Sequence, residues 1–416
     1  IYNGLGLVSE IKRSNGDNTY YAYNAKQQLI NVSIGATLTD PVLMYRYQYD
    51  IGGSPISKTI YNSQKGIATY HYQYNDKNQL VSFSVSTTNN LLYPSNHFGT
   101  PITGQSYTYG WNNNITQVIT NFYNPNTQKH TEDTATYSYD PSHPTRLVHV
   151  SHSGSYEYED QLQTMYTHDF KYYVNGQIET DPEGGFYQYN DANQLTQYSS
   201  SPNYPNQVNV NYQYNADGLV STETSKMALP SSDKTNPMNG VPIHYLYDQG
   251  QLVGQSQGED QAYYLPGLAN IVTNRNSQVP QTKIEDLYAA AQGTVVATSI
   301  DSGVSNVSSL RGGTTKQSIQ LNHEYLYTPY GIQSDVFNPI NSTQTQNYNS
   351  YQSRKVFNIT KNHFGYTGQQ EDPSTGYMMM GGFRNYGPSL GRFIQHDSMN
   401  PFSGHNTFNP YSYASA

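Results

Sequence analysis

The sequence predicts an all-β chain, a wound ribbon of β-hairpins, and three features of its 416 residues predict it. Tyr-x-Tyr alternation recurs along the chain, and a period of two puts alternate side chains on one face of a strand. Each of these runs closes on an Asn or Asp, residues that start turns through their own side chains. Hydrophobic residues make up only 35% of the chain and 43 of them are Tyr, so aliphatic material for a thick core is scarce. No long stretch carries apolar residues at helical spacing.

The hairpin unit repeats. Thr19 to Asn24, Thr69 to Asn75, Gly185 to Asn190, Asn211 to Asn215 and His244 to Asp248 are copies of one motif, and Tyr49-Asp50, Tyr109-Gly110 and Tyr139-Asp140 are looser ones. A leucine follows each clear copy, at Leu29, Leu80, Leu195, Leu219 and Leu252. Tyr23, Tyr49 and Tyr74 are spaced by 26 and 25 residues, and Tyr189 and Tyr214 by 25. One strand ends at the Tyr, the Asn or Asp opens the turn, glycines such as Gly218 and Gly250 take positive φ, and a second strand leaves from the Leu. A lone hairpin is marginal in water, whereas stacked hairpins form a sheet with a tyrosine ladder. Tyr buries its ring while its hydroxyl stays hydrogen-bonded, which suggests a thin sheet wetted on both faces with a polar concave side. Polar insertions at Asn89 to Ser106, Lys226 to Pro242, Ser299 to Asn322 and Ser334 to Asn362 read as loops on the ribbon.

Charge and composition exclude several classes. The net charge of −9 without a Lys/Arg run gives no footprint for nucleic acid or an acidic membrane surface. No apolar run reaches the length of a membrane-spanning helix, so no span is expected within these residues. The absence of Cys removes disulfides and thiol chemistry. Histidine pairs such as His130 and His143, or His396 and His405, lack compact ligand spacing, and neither a metal nor another cofactor is expected. Arg311-Gly312-Gly313 and Gly184-Gly185 do not sit between a strand and a helix, so they read as turns rather than phosphate loops. Trp111 and the many tyrosines suit sugar stacking as well as ladder packing, which keeps a carbohydrate-binding reading open. The start at Ile1, without Met or a leader, reads as that of a fragment.

The densest signals lie in the last fifty-odd residues. Gly365-Tyr366-Thr367-Gly368 precedes Glu371-Asp372-Pro373-Ser374-Thr375-Gly376-Tyr377, a hairpin signal, and Arg384 to Phe393 adds a strand with a Gly387-Pro388-x-x-Gly391 reversal. Asp397 and Asn409-Pro410-Tyr411-Ser412-Tyr413 close the chain. In this order the residues resemble the core of Rhs and YD-repeat proteins, whose pattern runs G-x-x-x-D-x-x-T-G-x-Y, R-x-Y-x-P-x-x-G-R-F, D, N-x-Y-x-Y. Ser398 to Gly404 is more similar to the C component of insecticidal Tc toxins. Tyr325-Leu326-Tyr327-Thr328-Pro329-Tyr330-Gly331 matches the family's Y-x-P-[FY]-G, and Asp286 to Thr298 resembles a degraded D-H-L-G-S-V. Met378 and Gly387 depart from the pattern where the family usually has Tyr and Asp.

The resemblance implies a hollow β cocoon of YD repeats with a C-terminal Rhs core as its plug. The expected division is a YD-repeat shell over 1–285, a shell continuation with polar insertions over 286–362, and the Rhs-associated core over 363–416. It implies encapsulation of a C-terminal toxic polypeptide, a polymorphic toxin cargo, with a translocation or injection partner and a further shell segment or chain, in a secreted toxin complex. It also implies a single-turnover aspartyl autoprotease. Asp397 aligns with the cleavage-site Asp and Arg392 with the G-R-F arginine that would hold that carboxylate ionised; the second acid and the scissile bond are expected beyond residue 416. From the residues alone, Asp397 as a turn cap and Arg392 as a structural salt bridge or packed stem remain open. An extracellular adhesion module of YD repeats is the alternative from a binding class.

Overall fold

Each copy of the repeat folds as a hairpin with the same irregularity in the same place. The computed structural model describes residues 1–13, 16–96, 99–154, 169–182, 184–201, 207–227, 239–275, 281–301, 321, 323–335, 359, 363–372, 374–380, 384–388, 390–395 and 411. In the hairpin of Gly66–Tyr74 and Leu80–Thr87, pairing runs evenly from Ala68↔Thr87 to Gln73↔Ser82 and then steps to Tyr74↔Leu80. Val81 is the extra residue of a β-bulge. The step recurs at Tyr23, Tyr49, Tyr109, Tyr139, Tyr189, Tyr214 and Tyr247. A bulge increases local right-handed twist, so its repetition winds the ribbon.

The turn that follows is built by the Asn. Asn75 Oδ1 accepts from the backbone N–H of Lys77 at 3.0 Å and Gln79 at 2.9 Å, and Asn24, Asn190 and Asn215 make the same pair of bonds. The fourth turn residue is left-handed: Gln27 at φ 62°, Asn78 at 61°, Asn193 at 60° and Gly218 at 81°. Glycine is therefore one of several residues used there, since the side-chain bonds of the Asx turn hold the conformation in place.

Neighbouring hairpins are joined by the tyrosine that precedes the turn. Its hydroxyl donates to a carbonyl of the preceding hairpin: Tyr49 to Leu29 at 2.7 Å, Tyr109 to Leu80 at 2.8 Å, Tyr139 to Ile115 at 2.7 Å, Tyr172 to Leu147 at 2.9 Å and Tyr214 to Leu195 at 2.7 Å. Each bond contributes about 1 kcal/mol net. At the same position the hydroxyls of Tyr189 and Tyr247 have no partner among the described residues, so the link reinforces several joins and not all of them.

Among the described residues these hairpins form an eleven-stranded antiparallel sheet from Glu10–Ile11 to Leu147–Gly154 and a fourteen-stranded one from Lys171–Tyr172 to Gln333–Asp335. A four-stranded sheet runs from Gln370–Asp372 to Arg392–Phe393. Within each sheet the strands follow one another in chain order, and among the described residues no sheet closes into a barrel. The fold is all-β, without an α-helix among the described residues. The segment Asn89 to Ser106, expected as loop, supplies the start of the strand Ile102–Tyr109.

The concave faces differ from expectation. They are not wetted: Tyr45, Tyr70, Phe83, Tyr187 and Tyr198 are buried in one cluster with Val32, Ile34, Leu43 and Ile60, while Arg46, Gln48, His71 and Gln73 on the other face are exposed. The reason is that the sheets face one another. Arg13 on the first sheet donates to the carbonyl of Leu287 on the second at 2.8 Å, and Asn62 to Glu324 at 2.7 Å. The two sheets cover much of each other's inner faces and leave a cavity between them.

Candidate functional site: the docked C-terminal sheet

The strands of the last sheet are set by the turns read from the sequence. Gly376 N–H bonds to the carbonyl of Asp372 at 2.7 Å, turning Gln370–Asp372 back into Tyr377–Met380, and Leu390 N–H bonds to Gly387 at 3.1 Å in the next reversal. Beside the buried Met379, several of their inward side chains are polar and bond to the fourteen-stranded sheet. Gln370 and Gln255 exchange amide hydrogen bonds at 3.1 and 3.2 Å. Tyr212 donates to Asp372 Oδ2 at 3.0 Å, and Ser374 and Ser225 hydroxyls meet at 3.0 Å. Tyr377 and Tyr187 share a hydroxyl contact, and Tyr187 donates to Asp181 at 2.6 Å.

Two carboxyl groups face each other across this seam. Asp372 is held by Tyr212, by the Thr375 hydroxyl at 2.8 Å and by the Ser374 N–H at 2.7 Å; Glu223 accepts from Tyr245 at 2.6 Å and Ser225 at 3.1 Å. Burial pushes the Glu223 carboxyl well above the usual range, and the Asp372 charge adds to it. Burial raises Asp372 too, against the hydrogen bonds that favour its charged form. Glu371 beside them is pushed up to about 7 by burial first and by Asp372 second. Like charges in a desolvated place cannot both ionise cheaply, so the seam favours the protonated forms of these acids. The oxygens of both acids already accept from protein donors, an arrangement suited to docking.

A second seam meets the eleven-stranded sheet. Arg392, 6% exposed, donates to the carbonyl of Thr145 at 2.9 Å and stacks 4.8 Å from the ring centre of Tyr411. Tyr411 returns its carbonyl to Phe393 N–H at 2.9 Å, and its hydroxyl donates to Gly176. Asp397 lies outside the described residues, as do His396 and Ser398 to Pro410. The turn Thr328 to Ile332 joins all three sheets: Tyr330 shares a hydroxyl bond of 2.9 Å with Tyr109, and Tyr386 donates to its carbonyl at 3.0 Å. Gly331, at φ 94°, packs so close to Tyr366 that an added Cβ would lie 2.7 Å from the ring.

Similarity to known proteins is confined to structure. No family model and no curated protein matches the sequence. The whole chain superposes on part of a solved chain of the Photorhabdus luminescens Tc holotoxin pore, at 14% identity and a TM-score of 0.48. It spans 20% of that chain.

Between the two large sheets lies a cavity of about 910 Å³, walled by tyrosines that include Tyr45, Tyr47, Tyr72 and Tyr327. The sequence pattern located the C-terminal turns but missed Glu223, Asp181 and Gln255, the partners on the fourteen-stranded sheet. Glu223 and Ser225 alternate on a buried face of the strand Val220–Met227, a polar break in an inward stripe and the one signal that marked them. Among the described residues no helix is long and apolar enough to cross a membrane.

Proposed function

We propose that this chain is a shell segment of the Rhs and YD-repeat type that encloses a C-terminal toxic polypeptide, with residues 1–285 as repeat wall, 286–362 as its continuation and 363–416 as the core that plugs it. The observation that carries the reading is the double docking of the C-terminal sheet. It is held against one large sheet through Asp372, Ser374 and Gln370 and against the other through Arg392. A chain end fixed inside a wound wall directs whatever follows it inward. Three further points support the reading: the Tyr-Asn hairpin repeat, the ordered motif series from Tyr325 to Arg392, and the buried polar character of the seams. In this reading the partners are a cargo downstream of residue 416, a further shell segment or chain, and a translocation component outside the producing cell.

Self-cleavage is part of the proposal. Asp397 would act with an acid beyond residue 416, each carboxyl stabilising one protonation state of the other, while Arg392 holds the adjoining strand in place from its bond to Thr145. The test uses the full-length gene product on a denaturing gel. The wild type should run as two fragments, and Asp397→Asn, which keeps size and hydrogen bonding, as one folded, uncleaved chain. Cleavage of Asp397→Asn at the wild-type rate removes the autoprotease assignment. A reading frame with no further domain after the core removes the delivery role and favours adhesion.

A further inference from the structure

On the strand Pro55–Asn62, Lys58 shares the inward face with Ile60, directly paired with Tyr47 on one side and Tyr70 on the other. Its ammonium lies 4.1 Å from the centre of the Tyr70 ring, and among the described residues it makes no ion pair and no hydrogen bond. The side chain lines the 910 Å³ cavity. Burial lowers its pKa to about 8, which leaves it mostly charged at neutral pH. Tyr45 lines the same cavity, is 2% exposed, and its hydroxyl has no partner among the described residues.

The two groups are unbalanced in a specific direction. Lys58 is half-buried, and an aromatic face offsets only part of what an ammonium loses when it is drawn out of water. The buried Tyr45 hydroxyl adds an unmet demand for an acceptor. Around them the wall carries aromatic rings and aliphatic carbon from Tyr72, Tyr327, Val296 and Leu326, with Lys77, Asn78, Gln79 and Gln292 as polar positions. The volume falls within the range of roughly 300–1,000 Å³ typical of small-molecule sites.

We propose that this cavity binds a carboxylate carried on a flat apolar body, with Lys58 as the counter-ion, the Tyr45 hydroxyl as a second donor and the tyrosine rings packing the body. The site is independent of the shell reading. The same chemistry is offered by a free aromatic acid and by an acidic side chain beside an aromatic one in a peptide.

Isothermal titration calorimetry of the 416-residue chain separates the two sources. One arm titrates phenylacetate against its neutral amide, the other acetyl-Phe-Glu-amide against acetyl-Phe-Gln-amide. At least one anion should bind more tightly than its neutral partner by about tenfold, a difference of about 1.4 kcal/mol. Lys58→Met should abolish that preference, Lys58→Arg should retain it, and Tyr45→Phe should weaken the anion alone. Binding by phenylacetate only identifies a free acid, and binding by the peptide only identifies a peptide. The proposal is overturned if neither anion binds, if acid and amide bind alike, or if the preference survives Lys58→Met. The Lys58→Arg protein, which preserves charge and length of stem, guards against a loss caused by misfolding.

Discussion

Replacing Glu371 with Gln should make the protein more stable at high pH and leave it nearly unchanged in acid. Glu371 lies on the strand Gln370–Asp372, paired with Met378, and its carboxyl is raised from 4.5 to about 7 by burial and by Asp372. The folded chain therefore keeps a proton that the unfolded chain has released. For a group raised in this way, its share of stability is fully present below the unfolded value near 4.5 and is lost as pH climbs through 7. At about 1.4 kcal/mol per unit, the shift amounts to roughly 3 kcal/mol of destabilisation at pH 8 and less than about 1 kcal/mol at pH 5. Gln has the same shape and does not titrate. Glu223 and Asp372 remain in both proteins, and the relief of Asp372 by loss of the Glu371 charge adds to the difference in the same direction. Urea unfolding followed by tyrosine fluorescence at pH 5 and 8 measures it. The variant's advantage should grow from under about 1 to about 3 kcal/mol; an advantage that stays constant between those pH values would refute burial of Glu371 as the cause.

The remaining predictions concern the repeat and the junction. Tyr49→Phe, Tyr139→Phe and Tyr214→Phe keep the ring and remove the bond to the preceding hairpin, so each should lower stability by about 1 kcal/mol. Tyr20→Phe is the control, its hydroxyl making only long 3.3 Å bonds, to the Ala36 carbonyl and from the Asn18 amide, within its own hairpin, and equal loss there would remove the inter-repeat link as an explanation. Gly331→Ala should cost about 2 kcal/mol or more in urea unfolding, because positive φ and the Tyr366 ring both oppose a Cβ. A variant of wild-type stability would show that the Tyr366 packing yields easily.

Local chemistry was legible in the sequence and long-range chemistry was not. The Asx turns at Asn24, Asn75, Asn190 and Asn215 depend on bonds within four residues, and the C-terminal reversals depend on Asp372, Gly376 and Gly387, so pattern alone located them. The bulge at each repeat tyrosine is equally local but leaves no residue signature, since the extra residues Ile30, Val81 and Ser221 share no side-chain type. The Tyr-to-carbonyl links were hidden because a carbonyl belongs to every residue. The docking seam was hidden for another reason: Tyr212 and Asp372 are 160 residues apart, and Gln255 and Gln370 are 115 apart. The expectation of a polar concave face failed because composition reports how much apolar material exists, whereas the structure concentrates it. Val32, Ile34, Leu43 and Ile60 share one face with the buried tyrosines, and facing sheets cover it.

The central claim is that the docked C-terminal sheet delivers the following polypeptide into an enclosed space. Limited proteolysis of the full-length gene product tests it most directly, with the segment after residue 416 followed by mass spectrometry. The account predicts that this segment resists protease for as long as the tyrosine-repeat wall stays folded, and becomes susceptible when urea opens the wall. Cleavage of the segment in the native protein at the rate of the same segment expressed alone would contradict it.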